Sequence, residues 1–178
     1  MLPPKRIEAT ERRLAAIHEA GHISAASYLN LLNVSGAIWK HREADARCDE
    51  KSWVGHTAYF PLRVHGTSVS NLRGDDLKLF SVAGAVSELS WQGATFEETL
   101  ENESWNDPAA MSDSDWLGCK CAPGNPSPRM IGIIEKAFRL FSRDGGILWP
   151  GVLVYARTLI VEARSHAVHP LERVRNAG

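Results

Sequence analysis

Along the chain, apolar positions first recur at spacings of three and four. Leu14, Ile17, Gly21, Ala25, Tyr28 and Leu32 form a seam that predicts one long helix from about Glu8 to Leu31, with Thr10 as its cap or in its first turn. The period then shortens. Val34 to Lys40 and Ser52 to Phe60 are rich in β-branched and aromatic residues and predict a small antiparallel sheet, with the charged stretch His41 to Lys51 between its strands. Gly55 inside the second strand suggests a bulge or the close approach of another backbone. Leu62 to Asn71 is rich in turn residues. Helical spacing returns at Asp75 or Asp76 and runs to about Trp91, through Leu79, Val82, Ala83, Val86 and either Leu89 or Ser90.

The second half is predicted to be helical as well. Gln92 to Met111 reads as irregular, apart from Thr95-Phe-Glu-Glu98, a capping box for a short helix. Asp113 to Leu117 starts a short helical segment in the acidic register favoured at an N-terminus. Cys119 to Pro128 is a loop. Ser127 with Pro128 opens a helix that buries Ile131, Ile134, Phe138 and Phe141 and ends near Asp144. Pro150 opens the last helix, with Leu153, Ala156, Leu159, Ile160 and Ala163 facing inward. The fold class expected is α+β, mainly α-helical, with a small antiparallel sheet beside the first helix. A length of 178 residues suits a single domain, residues 1–178, in which 1–7 and about 166–178 are expected to be mobile tails.

Composition narrows the partners. With 20 basic and 21 acidic residues the net charge is −1, which offers neither a broad basic surface for nucleic acid nor a polybasic membrane patch. No segment reads as a signal peptide or a membrane span, so a cytoplasmic protein is expected. The three cysteines, at 48, 119 and 121, are too few for a disulfide framework and are expected to be free thiols. His166 and His169 are expected to be tail residues.

The chemistry concentrates in His18-Glu19-Ala-Gly-His22. Four residues are close to one helical turn, so both imidazoles leave the first helix on one face and can share a metal ion. Glu19 lies beside such an ion rather than on it, where a carboxylate can take a proton from a water attacking a carbonyl carbon. Two histidines and a glutamate can also share a solvated helix face without function, but their place inside an amphipathic helix argues against that. Gly21 costs about 1 kcal/mol in a helix interior, so its presence reflects either a close neighbour or simple tolerance. Small residues at 83, 84, 85 and 87 would let the second long helix pack closely, and Glu88 there is either a partner for a buried polar group or exposed. Gly55, His56 and Thr57 lie on a strand that could pair with an extended substrate.

These blocks resemble a known family. Ala16-Ile-His-Glu-Ala-Gly-His-Ile-Ser-Ala-Ala is similar to the zinc-helix motif of FtsH-type metalloproteases. Val54-Gly-His-Thr-Ala-Tyr resembles that family's edge strand beside the cleft, and Val82-Ala-Gly-Ala-Val-Ser-Glu-Leu its alanine- and glycine-rich helix. The three blocks keep the family's order over roughly residues 10 to 120, with Gln92 to Met111 resembling an insertion. The resemblance implies a zinc-dependent metallopeptidase in which His18 and His22 are ligands, Glu19 is the general base and an Asp opening a later helix is the third ligand. In the family that Asp precedes an apolar residue, with a small residue three further on. Asp115-Trp116 with Cys119 fits. Asp113 does not, and it is expected to cap the helix or support the ligands, while Glu88 is the remaining candidate. Those proteases also carry a membrane anchor and an ATPase module. With only seventeen residues before His18 and no Walker loop, this chain is expected to be a stand-alone peptidase acting on polypeptide without ATP, nucleic acid or membrane. Whether it forms a homo-oligomer stays open. The competing expectation is a catalytically silent zinc protein that binds a partner through the same groove.

Overall fold

The structure is a computed structural model and describes residues 4–31, 34–40, 53–58, 62–64, 67–69, 72 and 74–165. Helix α1 spans Pro4–Tyr28, and strands β1 (Ser35–Lys40) and β2 (Trp53–Ala58) follow. Next come β3 (Leu62–Val64), β4 (Thr67–Val69), α2 (Asp75–Gln92), α3 (Phe96–Glu101), α4 (Asp113–Cys119), α5 (Pro128–Phe141) and α6 (Trp149–Ser165). The described residues are therefore mainly helical, with small antiparallel sheets. None of their helices is long and apolar enough to cross a membrane.

Helix α1 starts earlier than its periodicity indicates, which puts Thr10 inside it. Proline is well suited to a first helical turn, where its missing N–H has no partner to lose. At the other end the helix stops at Tyr28 because Asn30 turns left-handed at φ 56°. The Leu31 N–H then donates to the Ala26 carbonyl at 2.9 Å and the Asn30 N–H to Ser27 at 3.1 Å, closing the last turn back on itself. Tyr28, expected in the seam, is exposed.

Helix α1 is the centre of the molecule and packs against α2, α6 and the β1–β2 hairpin. The hairpin pairs in continuous register from Ser35 opposite Ala58 to Lys40 opposite Trp53, so Gly55 marks no bulge. Within the turn-rich segment expected from Leu62 to Asn71, residues 62–64 and 67–69 form the short β3–β4 pair. Each of those strands is only three residues long, too short for a period of two to register.

Close helix crossings are built on small residues. A Cβ on Gly21 would collide with the Ala83 carbonyl of α2, so the close-neighbour reading of Gly21 holds. One on Gly118 of α4 would strike the Ser81 hydroxyl of α2. The stretch between α2 and α4 holds more order than its sequence suggests. Thr95 and Glu98 form the expected capping box for α3, and two 3₁₀ turns follow at Ser104–Asn106 and Pro108–Ala110. Two buried tryptophans pin this stretch. The Trp105 indole donates to Thr99 Oγ1 at 3.0 Å, and the Trp116 indole to the Pro108 carbonyl at 2.8 Å. Helix α5 starts at Ser127 and Pro128 as expected but stops at Phe141, ahead of Asp144. In α6 the inward face is Val152, Ala156 and Leu159, whereas Leu153 is exposed because it lies about 100° around the helix from Val152. The charged stretch 41–51, with Cys48, and the tail from 166, with His166 and His169, lie outside the described residues.

Candidate metal centre

Three elements meet at one point. Helix α1 presents His18 and His22 one turn apart, α2 passes over them, and the first turn of α4 delivers Asp115. The two Nε2 atoms are 3.1 Å apart. Asp115 Oδ2 stands 3.5 Å from His18 Nε2 and Oδ1 3.6 Å from His22 Nε2. All three side chains are largely withdrawn from solvent, and Asp115 is only 7% exposed.

The hydrogen bonds on the far side of each ring decide what the near side can do. His22 Nδ1 lies 2.8 Å from the Phe80 carbonyl, which can only accept, so Nδ1 carries the proton. His18 Nδ1 likewise faces the Glu88 carboxylate at 2.6 Å. With both Nδ1 atoms protonated, two Nε2 lone pairs and a carboxylate converge on one space. Such an arrangement repels itself unless a cation, or a proton standing in for one, lies between. The group of His18, His22 and Asp115 could therefore hold a metal ion. The closest approaches, 3.1 to 3.6 Å, use both Asp115 oxygens, and with one ligand atom taken from each residue the three atoms lie within 4.8 Å of one another.

Electrostatics agree with this reading. Burial alone would lower the pKa of His18, but the Asp115 and Glu88 carboxylates outweigh it and hold the imidazole well above its ordinary value. Burial and the neighbouring His18 push His22 below its ordinary value. Burial works to raise the Asp115 carboxyl, yet the nearby His18 and His22 imidazoles hold it below the usual carboxylate range.

Asp115 owes its place to the start of α4. The Ser112 hydroxyl caps the helix by accepting from the Asp115 N–H at 3.2 Å, and the same hydroxyl lies 2.7 Å from Asp115 Oδ2. Buried Trp116 anchors the turn from behind. Of the three carboxylates considered from sequence, Asp115 faces both Nε2 atoms and Glu88 sits behind His18. Asp113 is exposed and is not the helix cap, since Ser112 takes that role. Ser112 was legible as a serine three residues before the acidic position, whereas the Phe80 carbonyl leaves no trace in sequence. Gly84 also acts here, because a Cβ on it would stand 2.5 Å from His18 Nε2 and 2.6 Å from His22 Nε2. Only glycine leaves the imidazoles their positions.

Glu19 is 5% exposed and turns toward β2. The Thr57 hydroxyl donates to its Oε2 at 2.6 Å, and its Oε1 would lie 2.6 Å from a Cβ on Gly55. Gly55 therefore makes room for a side chain, not for a backbone. His56, between them, points outward and is exposed. Cys119 and Cys121 are free, and burial, with Asp115 nearby, pushes the Cys119 thiol up to about 12, which leaves it unreactive.

Compared with protein-family models and with curated proteins, the chain gives no match.

Proposed function

We propose that this chain is a zinc-dependent metallopeptidase of the FtsH type, with His18, His22 and Asp115 holding the ion and Glu19 as general base. The observation that carries the reading is the convergence of two Nε2 lone pairs and one carboxylate beside a buried glutamate that is not itself among them. Two imidazoles and a carboxylate suit zinc better than calcium or magnesium, which favour all-oxygen shells. Bound there, zinc would polarise the scissile carbonyl and lower the pKa of the attacking water. A purely structural zinc site has no use for a carboxylate such as Glu19, since it closes all four positions with ligands.

The chain's own residues supply the remaining steps. Glu19 takes a proton from the water as the water oxygen bonds to the carbonyl carbon. It returns that proton to the amide nitrogen as the C–N bond breaks. Glu88 and the Phe80 carbonyl keep both imidazoles turned so that Nε2 faces the site. Strand β2 pairs with β1 on one edge, and its other edge has no strand partner among the described residues. An extended polypeptide can add there, along Gly55, His56 and Thr57. That geometry favours unfolded or flexible substrates.

The test is Glu19→Gln. The amide is nearly isosteric, so zinc content and melting temperature should match wild type, while hydrolysis of an unstructured protein such as casein should fall by at least about a hundredfold. If both proteins hold zinc equally and neither cleaves a broad library of unstructured peptides, the silent, partner-binding alternative takes precedence.

A further inference from the structure

Strand β2 also packs against α1 beside the candidate metal centre. Side chains two apart on a strand share a face, and Trp53, Gly55 and Thr57 all face α1. Trp53 lies beneath the Arg12 guanidinium, 5.5 Å from it. Gly55 leaves the space that the Glu19 side chain fills, and Thr57 places its hydroxyl 2.6 Å from Glu19 Oε2 and 3.3 Å from the Glu19 carbonyl. That hydrogen bond engages one lone pair of Oε2 and makes it less basic than Oε1. Oε1 accepts no hydrogen bond among the described residues. Of the two carboxylate oxygens, only Oε1 has no donor among the described residues.

We infer that Thr57 is the positioning residue for Glu19, fixing the carboxylate through Oε2 so that Oε1 is the oxygen that takes the proton. This rests on the peptidase reading above for its catalytic consequence, though the geometric claim stands apart from it. The assignment gives the side chain of Thr57 a task different from substrate contact, which the strand's backbone can make alone. A threonine suits the role because its β-branched side chain has few rotamers, so the hydroxyl stays where the strand puts it. A charge-assisted hydrogen bond of this length is among the stronger ones available to a neutral side chain.

Thr57→Val keeps the shape and removes the donor, and Thr57→Ser keeps the donor. In Thr57→Val, zinc per chain and KM for an unstructured peptide should equal wild type while kcat falls about tenfold. Thr57→Ser should return kcat to within about twofold of wild type. Crystal structures of the three zinc-loaded proteins supply a readout independent of turnover. Glu19 should hold one orientation in wild type and Thr57→Ser and leave it in Thr57→Val. An unmoved Glu19 in Thr57→Val overturns the inference, as does an unchanged kcat, a serine variant as impaired as the valine, or a rise in KM alone. If wild type cleaves nothing, the peptidase reading fails while the crystallographic comparison still decides the role of Thr57. Should Thr57→Val not fold, Thr57→Ala removes the same donor with less bulk, and the same outcomes apply.

Discussion

At the scale of single residues, the centre depends on where protons sit. Each imidazole gives its Nδ1 proton to an acceptor outside the cluster, Glu88 for His18 and the Phe80 carbonyl for His22. Removing a group that orients a metal-binding histidine typically costs about 10–100-fold in metal affinity. Glu88→Ala should therefore weaken zinc binding by that factor, measured by competition with a chromophoric chelator. Asp115→Ala, which on the proposed reading removes a ligand of the ion, should cost more, and Asp113→Ala should leave affinity unchanged because that side chain is exposed. Equal losses for Asp113→Ala and Asp115→Ala would contradict the site as described. The histidine pair and Glu19 were legible in sequence because one helical turn fixes their spacing. Asp115 was reachable only through the family resemblance, because nothing local ties residue 115 to residue 18. The Phe80 carbonyl was not legible at all, since every residue carries one.

At the scale of elements, glycines set how closely α1, α2 and α4 approach. Gly84→Ala would drive a methyl group against two imidazoles that Glu88 and Phe80 prevent from turning away. The variant should fold, yet its zinc affinity should fall at least about tenfold, with about 1–3 kcal/mol lost from metal-free stability by overpacking. Gly21→Ala meets the Ala83 carbonyl instead, so its main effect should be on stability. A loss of about 1–3 kcal/mol is expected despite the roughly 1 kcal/mol that alanine gains in a helix. Denaturant titrations with and without zinc separate the two effects, and an unchanged zinc affinity in Gly84→Ala would contradict the packing argument. The run of small residues in α2 announced a close crossing, and Ser127-Pro128 and Thr95 to Glu98 announced two helix starts, because those signals are local. The face of α6 was misjudged at Leu153 because adjacent apolar residues, Val152 and Leu153, leave the helical phase ambiguous by about 100°. The β3–β4 pair was missed because each strand is held by its partner strand and not by its own pattern.

At the scale of the whole molecule, the metal-free protein should show a stability maximum near the ordinary histidine pKa of 6.5. The raised value of His18 adds stability that is complete below 6.5 and is lost as pH rises through the folded-state value. The lowered value of His22 works the other way, so stability falls as pH drops from 6.5 toward that value. The depressed Asp115 carboxyl adds a further loss at lower pH still, below the ordinary value of 3.8. If the proposed site takes zinc, the ion should reverse the upper limb, because it would take the place of the proton on His18 and bind more tightly as that proton leaves. Thermal melts from about pH 5 to about pH 9, with chelator and with zinc, should diverge as pH rises. Parallel curves would mean that no proton is exchanged for metal at His18.

The central claim is that His18, His22 and Asp115 form one metal site, and elemental analysis of protein purified without chelators addresses it most directly. The expected result is one zinc per chain in wild type, falling to near zero in Asp115→Ala while the variant stays folded. Protein that carries no zinc and takes up none on titration would contradict the account.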